Sequence, residues 1–99
     1  MKFEINTVYT VKLNSGEELI AKVKEVNEGY ITITDPVSVA PGQQGIGLVP
    51  SMFTADPDES VTLNTNSIAF HADTEDSIKD KYLEATTGIK VPSKKIVLG

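Results

Sequence analysis

The chain has no cysteine, no tryptophan and no arginine, and its single histidine is His71. Without cysteine there are no disulfides and no thiolate metal ligands, which fits a reducing compartment. Without arginine the chain lacks the planar guanidinium fork that best grips phosphate oxygens and guanine edges. All nine cations are lysines, against 14 carboxylates, for a net charge of −5. An acidic surface of this kind repels a polyanion unless its lysines cluster. No apolar run approaches the roughly 20 residues needed to cross a bilayer. The opening MKFEIN places Glu4 where a secretion signal needs an apolar core. The expectation is a cytoplasmic protein with no membrane contact.

Catalytic groups are equally sparse. A metal site would need His71 together with carboxylates such as Asp73, and one such pair is a weak ligand set, so no metal and no cofactor are expected. No nucleophile elbow is present for Ser-His-Asp chemistry. Gly42-Gln43-Gln44-Gly45-Ile46-Gly47 lacks the lysine of a phosphate loop and the helix of a dinucleotide site, and reads as a turn. The acidic run Asp56-Pro57-Asp58-Glu59 does not have the spacing of a calcium loop and reads as a solvated turn. The sequence therefore points away from an enzyme.

What is present is alternation. At 99 residues and 39% hydrophobic content, the chain makes one domain, residues 1–99, with a modest core that an oligomer interface could supplement. Tyr9, Val11 and Leu13 share one face of a strand, with Thr10 and Lys12 on the other. Asn14-Ser15-Gly16 turns the chain into a second strand carrying Leu19, Ala21 and Val23. Val26 then falls on the polar parity, so a bulge near Lys24-Glu25 is expected. Asn27-Glu28-Gly29 makes the next turn. Ile31 and Ile33 follow, Asp35-Pro36 implies a bulge or an edge, and Val37 and Val39 resume the buried parity. Pro41 to Gly45 caps a hairpin whose return arm is Ile46 to Phe53. Met52-Phe53, between the turns at Pro50-Ser51 and Asp56-Pro57-Asp58, is either a satellite of the core or a subunit contact. Val61 and Leu63 begin a short strand, Asn64-Thr65-Asn66 turns it, and Ile68 and Phe70 continue on flipped parity.

The period then changes. Ile78, Tyr82 and Ala85, with Leu83 beside them, recur at helical spacing over residues 74–87. Asp73 or Thr74 suits the cap, Glu75 and Asp76 suit the positive end, and Gly88 suits the residue just past the helix. Residues 90–99 carry three of the nine lysines and read as a tail, in which Ile96-Val97-Leu98 could add a strand to an edge.

The run Val11-Lys12-Leu13-Asn14-Ser15-Gly16-Glu17-Glu18-Leu19-Ile20-Ala21-Lys22-Val23 resembles the first signature of the Sm/LSm family. Leu63-Asn64-Thr65-Asn66-Ser67-Ile68 sits where the second signature would place an Arg-Gly-x-Asn turn. Here Asn64-Thr65 replaces the Arg-Gly, and the helix follows the sheet instead of preceding it. Gly47-Leu48-Val49-Pro50 and Tyr82 to Ile89 are similar to small Sm-like proteins of tailed phages, including those of cyanobacteria. The resemblance implies an all-β fold: a strongly bent, five-stranded antiparallel Sm-like barrel of SH3 type over about residues 7–71, with one C-terminal α-helix. It also implies a closed homo-oligomeric ring of about five to seven subunits, since such barrels leave two strand edges for neighbours. Single-stranded RNA would then sit at the pore, with a base stacked on Tyr30 and read by Asn27, Asn64 and Asn66. Asparagine in a tight turn also serves its backbone angles, and Tyr30 at a strand start equally reads as simple packing. The other reading is a protein-interaction or scaffold ring that recruits a host or phage protein.

Overall fold

The computed structural model describes residues 2–90, with side chains placed through Thr86. The chain forms β1 (Thr7–Leu13), β2 (Glu18–Asn27), β3 (Tyr30–Gly42), β4 (Gly45–Pro50), β5 (Val61–Asn64), a short 3-10 helix (Thr65–Ser67), β6 (Ile68–Asp73) and α1 (Asp76–Lys90). The tail beyond Lys90, with its Ile96-Val97-Leu98 segment, lies outside the described residues.

All pairings are antiparallel, in the order β4-β3-β2-β1-β6, and β5 pairs with β3. Six strands thus stand where five are expected. The long strand β3 accounts for this: its first half pairs with β5, from Tyr30↔Asn64 to Ile33↔Val61, and its second half pairs with β4, from Val37↔Pro50 to Gly42↔Gly45. The return arm ends at Pro50, short of Phe53. Among the described residues no ladder joins β6 to β4 or β5, so their hydrogen-bonded sheet is open. It must nevertheless curl. From β5 across β3, β2 and β1 to β6 a flat sheet would measure about 19 Å. The chain covers that gap between Asn64 and Ile68 through the short 3-10 helix, a reach of at most about 14 Å.

Two bulges steer the alternation. In the β2–β3 ladder Val23 opposes Ile33 and Glu25 opposes Thr32, so Lys24 is the extra residue. That insertion carries Val26 back opposite Ile31, as the phase slip in the sequence requires. Ile20 opposes Val37 and Lys22 opposes Thr34, so β3 carries its own excess at Asp35-Pro36, where Asp35 adopts φ 51°. An extra residue moves everything beyond it to the other face. Val37 and Val39 therefore leave the face of Ile31 and Ile33.

The sheet consequently buries both faces. The inner cluster is Tyr9, Val11, Leu19, Ala21, Val23, Ile31, Ile33 and Ile68, with Phe3, Val61 and Leu63 packed at its margin. The outer cluster is Val8, Ile20, Val37 and Tyr82, flanked by Val39, Leu48 and Ile78. Helix α1 seats on this outer face. Tyr82 is 1% exposed, and its hydroxyl donates to the carbonyl of Asp35 at 2.9 Å and to that of Thr34 at 3.2 Å. Burial, and secondarily the Asp35 carboxylate, pushes this phenol well above its ordinary value of 10.0. It stays a neutral donor that pins the helix to the bulge.

Three local expectations change. Thr74 is buried, and its hydroxyl shares a 3.0 Å hydrogen bond with that of Thr10, so it ties the helix entry to β1. The first turn closes one residue later, from Lys79 N–H to the Glu75 carbonyl, and Ser77 donates to the Glu75 carboxylate. Gly88 lies inside the helix, which runs on to Lys90. Phe70 is 66% exposed, because the β1–β6 register shifts between Lys12 and Leu13 and turns Phe70 to the face of Lys12.

Candidate functional site

The β2–β3 turn is a two-residue loop: Asn27 opposes Tyr30 with Glu28-Gly29 between them. Gly29 adopts φ 88°, a conformation that side-chain-bearing residues resist, so glycine is required there by backbone geometry. On the other side of β3, Tyr30 opposes Asn64 at the end of β5. The sheet therefore sets Asn27, Tyr30 and Asn64 side by side on one face, with neighbouring Cβ atoms about 5 Å apart. Thr65 N–H donates to the Gly29 carbonyl at 3.0 Å, which locks the 3-10 helix against the turn.

Asn66 is held from the β1–β2 turn. Asn14 Nδ2 donates to the Asn66 carbonyl at 2.7 Å, and Asn14 N–H donates to the Ser67 carbonyl at 2.7 Å. Asn66 thereby stands between two open depressions. One, of about 350 Å³, is lined by Asn27, Glu28, Gly29, Asn66 and Phe3 among others. The other, of about 320 Å³, is lined by Asn14, Ser15, Asn64 and Asn66. Tyr30 lines neither, and its ring lies on the outer face at 39% exposure.

The backbone-angle explanation for these asparagines does not hold. Among the described residues only Asn6 and Asp35 combine a side chain with a positive φ. Asn64 is extended at φ −71°, ψ 127°, and its side chain makes no capping bond to the 3-10 helix that follows. Neither Asn27 nor Asn66 is left-handed. Their amides are therefore placed at this end of the sheet without a backbone need.

The electrostatics are acidic. The Glu25 carboxylate accepts at 3.3 Å from Asn27 Nδ2 and at 3.3 Å from Thr32 Oγ1, which puts it one step along the same face. Glu28 sits in the turn itself. Lys24 turns away and donates to the Asn6 side chain at 2.9 Å. The site thus combines neutral amides, one aromatic ring and two carboxylates. It can donate and accept hydrogen bonds and offer a stacking surface, and among the described residues no lysine lines either depression.

His71 lies elsewhere on β6, opposite Val11, with the Phe3 ring 4.2 Å from it centre to centre. Its Nδ1 is buried without a hydrogen-bond partner. Among the described residues no three His, Asp or Glu side chains converge as a metal-binding group. No described helix is long and apolar enough to cross a membrane.

A comparison with protein-family models gives no match, and neither does a comparison with curated proteins.

A second feature escaped the alternation argument. Pro36, Pro50, Met52 and Val61 line an apolar groove between the β3 bulge and the loop after β4. Met52 and Phe53 are 50% and 83% exposed, so neither is a satellite of the core. The signal available was three prolines, at 36, 50 and 57, bracketing an unpaired apolar pair. Prolines remove backbone donors and leave ungripped, side-chain-lined surface.

Proposed function

We propose that the protein is a self-assembling interaction module: an Sm-like barrel whose copies close into a homo-oligomeric ring of about five to seven subunits that scaffolds a protein partner. The observation that carries this reading is the pair of open borders at opposite ends of the sheet. Among the described residues strands β4 and β6 each have one side without a strand partner, and each shows apolar side chains to solvent, Ile46 and Val49 on β4 and Phe70 on β6. Unpaired borders of this kind recruit another strand. Joining the β4 border of one copy to the β6 border of the next is a head-to-tail contact, which closes a ring when the rotation permits. The curl imposed by the short link between β5 and β6, together with the Sm-like signature from Val11 to Val23, supports the barrel. The similarity of Gly47 to Pro50 and of Tyr82 to Ile89 to phage Sm-like proteins supports a phage source, with the host cytoplasm as the working compartment.

A second reading is weak binding of single-stranded RNA at the ring pore. The row Asn27–Tyr30–Asn64, with its amides not needed for the backbone, favours it. The carboxylates of Glu25 and Glu28 and the absence of arginine weigh against it, because phosphate contacts supply most of the affinity for nucleic acid. Fluorescence anisotropy with U-rich and A-rich oligonucleotides at about 50 mM salt separates the two readings. The scaffold reading predicts a flat titration. Binding that Tyr30→Ala or Asn64→Ala weakens would replace it with the RNA reading.

A further inference from the structure

Before β1 the chain runs along the inner cluster as a short arm. Phe3 packs at the margin of that cluster. Its ring makes a T-shaped pair with Tyr9 at 5.0 Å and lies over His71 at 4.2 Å, tilted by 32°. Tyr9 and His71 meet in a second T-shaped pair at 6.1 Å, so the three rings form one aromatic cluster. Such pairs are favourable beyond the area they bury. Phe3 also lines the depression of about 350 Å³ that Asn27, Gly29 and Asn66 share. It is thus common to the aromatic cluster and to the candidate site.

The arm is lightly fastened. The β1–β2 ladder begins at Thr7↔Val23, and Asn6 N–H still donates to the Val23 carbonyl at 2.6 Å. Lys24 Nζ grips the Asn6 side chain, which fixes the root of the arm. Further out, among the described residues, the ties are Glu4 N–H to the Tyr9 hydroxyl at 2.7 Å and the Thr7 hydroxyl to the Ile5 carbonyl at 3.4 Å. Ile5 is mostly exposed, so its side chain adds little to the hold.

Closure also carries two costs. Asn6 adopts φ 65°, the left-handed region that asparagine tolerates better than most residues but does not favour. His71 Nδ1 is sealed without a hydrogen-bond partner among the described residues. A buried polar atom in that state forfeits its hydration, and lifting Phe3 away returns water to the imidazole. Strain at the root, light fastening and a penalty relieved by opening belong to a segment poised to move.

We propose that residues 2–6 are a strap that swings about Asn6. Closed, it holds Phe3 on His71. Open, it uncovers Tyr9 and His71 and widens the depression beside Asn27 and Asn66. The strap sets access to that depression whichever partner the protein takes, and it does not depend on ring formation.

Amide hydrogen exchange on the natural full chain, read residue by residue by NMR, tests this. The Glu4 amide should exchange more slowly than in the unfolded chain, yet at least about 100-fold faster than the β1–β2 ladder amides, because the strap opens without the sheet. His71→Leu replaces the unpartnered nitrogen by carbon and should slow Glu4 exchange about tenfold. Phe3→Ala removes the closing contact and should bring the Glu4 amide close to its unfolded-chain rate, with the ladder amides still protected. A Glu4 amide as slow as the ladder in the natural protein, or already at its unfolded-chain rate, would overturn the inference. So would Glu4 exchange in His71→Leu as fast as in the natural protein or faster, or a Glu4 amide that stays protected in Phe3→Ala.

Discussion

Tyr82 is the residue on which the two layers of the molecule depend. Its ring fills the outer cluster with Val8, Ile20 and Val37, and its hydroxyl caps the carbonyls of Thr34 and Asp35 in the bulge. Removing that donor takes two hydrogen bonds from the half-buried bulge, so Tyr82→Phe should cost about 1–2 kcal/mol in chemical denaturation. The pH dependence follows from the raised phenol. The fold holds this proton more tightly than the unfolded chain does, so its contribution is complete below pH 10.0. It is lost as pH rises above that value, because only the unfolded chain then releases the proton. Thermal melts between about pH 9 and about pH 11 should show a steeper loss of stability in the natural protein than in Tyr82→Phe. Ile20, 1% exposed beneath the same ring, has no polar role. Ile20→Ala should cost about 2–5 kcal/mol without any change in that alkaline slope.

At the level of elements, sequence pattern reads well where one face decides and poorly where a bulge resets the face. The alternation of β1 and β2 is legible, and so is the irregularity near Lys24, because Val26 sits visibly out of phase. The Asp35-Pro36 interruption is legible too. Its consequence is not, since Val37 and Val39 look apolar whether they face inward or outward. The helix is what makes the outer position buried, and only the packing of Tyr82 shows that. The outward turn of Phe70 is hidden from the sequence for the same reason: the shift at Lys12/Leu13 lies in a ladder between segments far apart in the chain. The four candidate site residues were drawn from turn positions, and the pairing of β3 with both β2 and β5 brings three of them into a row. What the sequence could not reveal is that Tyr30 lies outside the depressions beside Asn66, because that depends on the curl. Gly29 offers a clean test of turn chemistry. A Cβ there would meet nothing within 4 Å, yet φ is 88°. Gly29→Ala should therefore destabilise by about 1–2 kcal/mol through torsion alone, and Gly29→Asn should destabilise less, as equilibrium unfolding would show.

At the scale of the whole molecule, the open sheet leaves two borders whose apolar side chains are unexplained in a lone subunit. Ile46 and Val49, each 42% exposed, belong to one border, and Phe70 to the other. Charging the first border should disrupt assembly and spare the fold, since exposed substitutions shift subunit stability by only about 0.5 kcal/mol. Ile46→Lys with Val49→Lys is expected to yield dispersed subunits with an unchanged β-type circular dichroism spectrum. The same substitution leaves the candidate site untouched, so any oligonucleotide binding that disappears with it depends on the ring. The most direct measurement is the solution mass of the natural protein by multi-angle light scattering across a concentration series. The account predicts one sharp species at about five to seven times the 10.7 kDa chain mass, independent of concentration. A single 10.7 kDa particle at every concentration would contradict it.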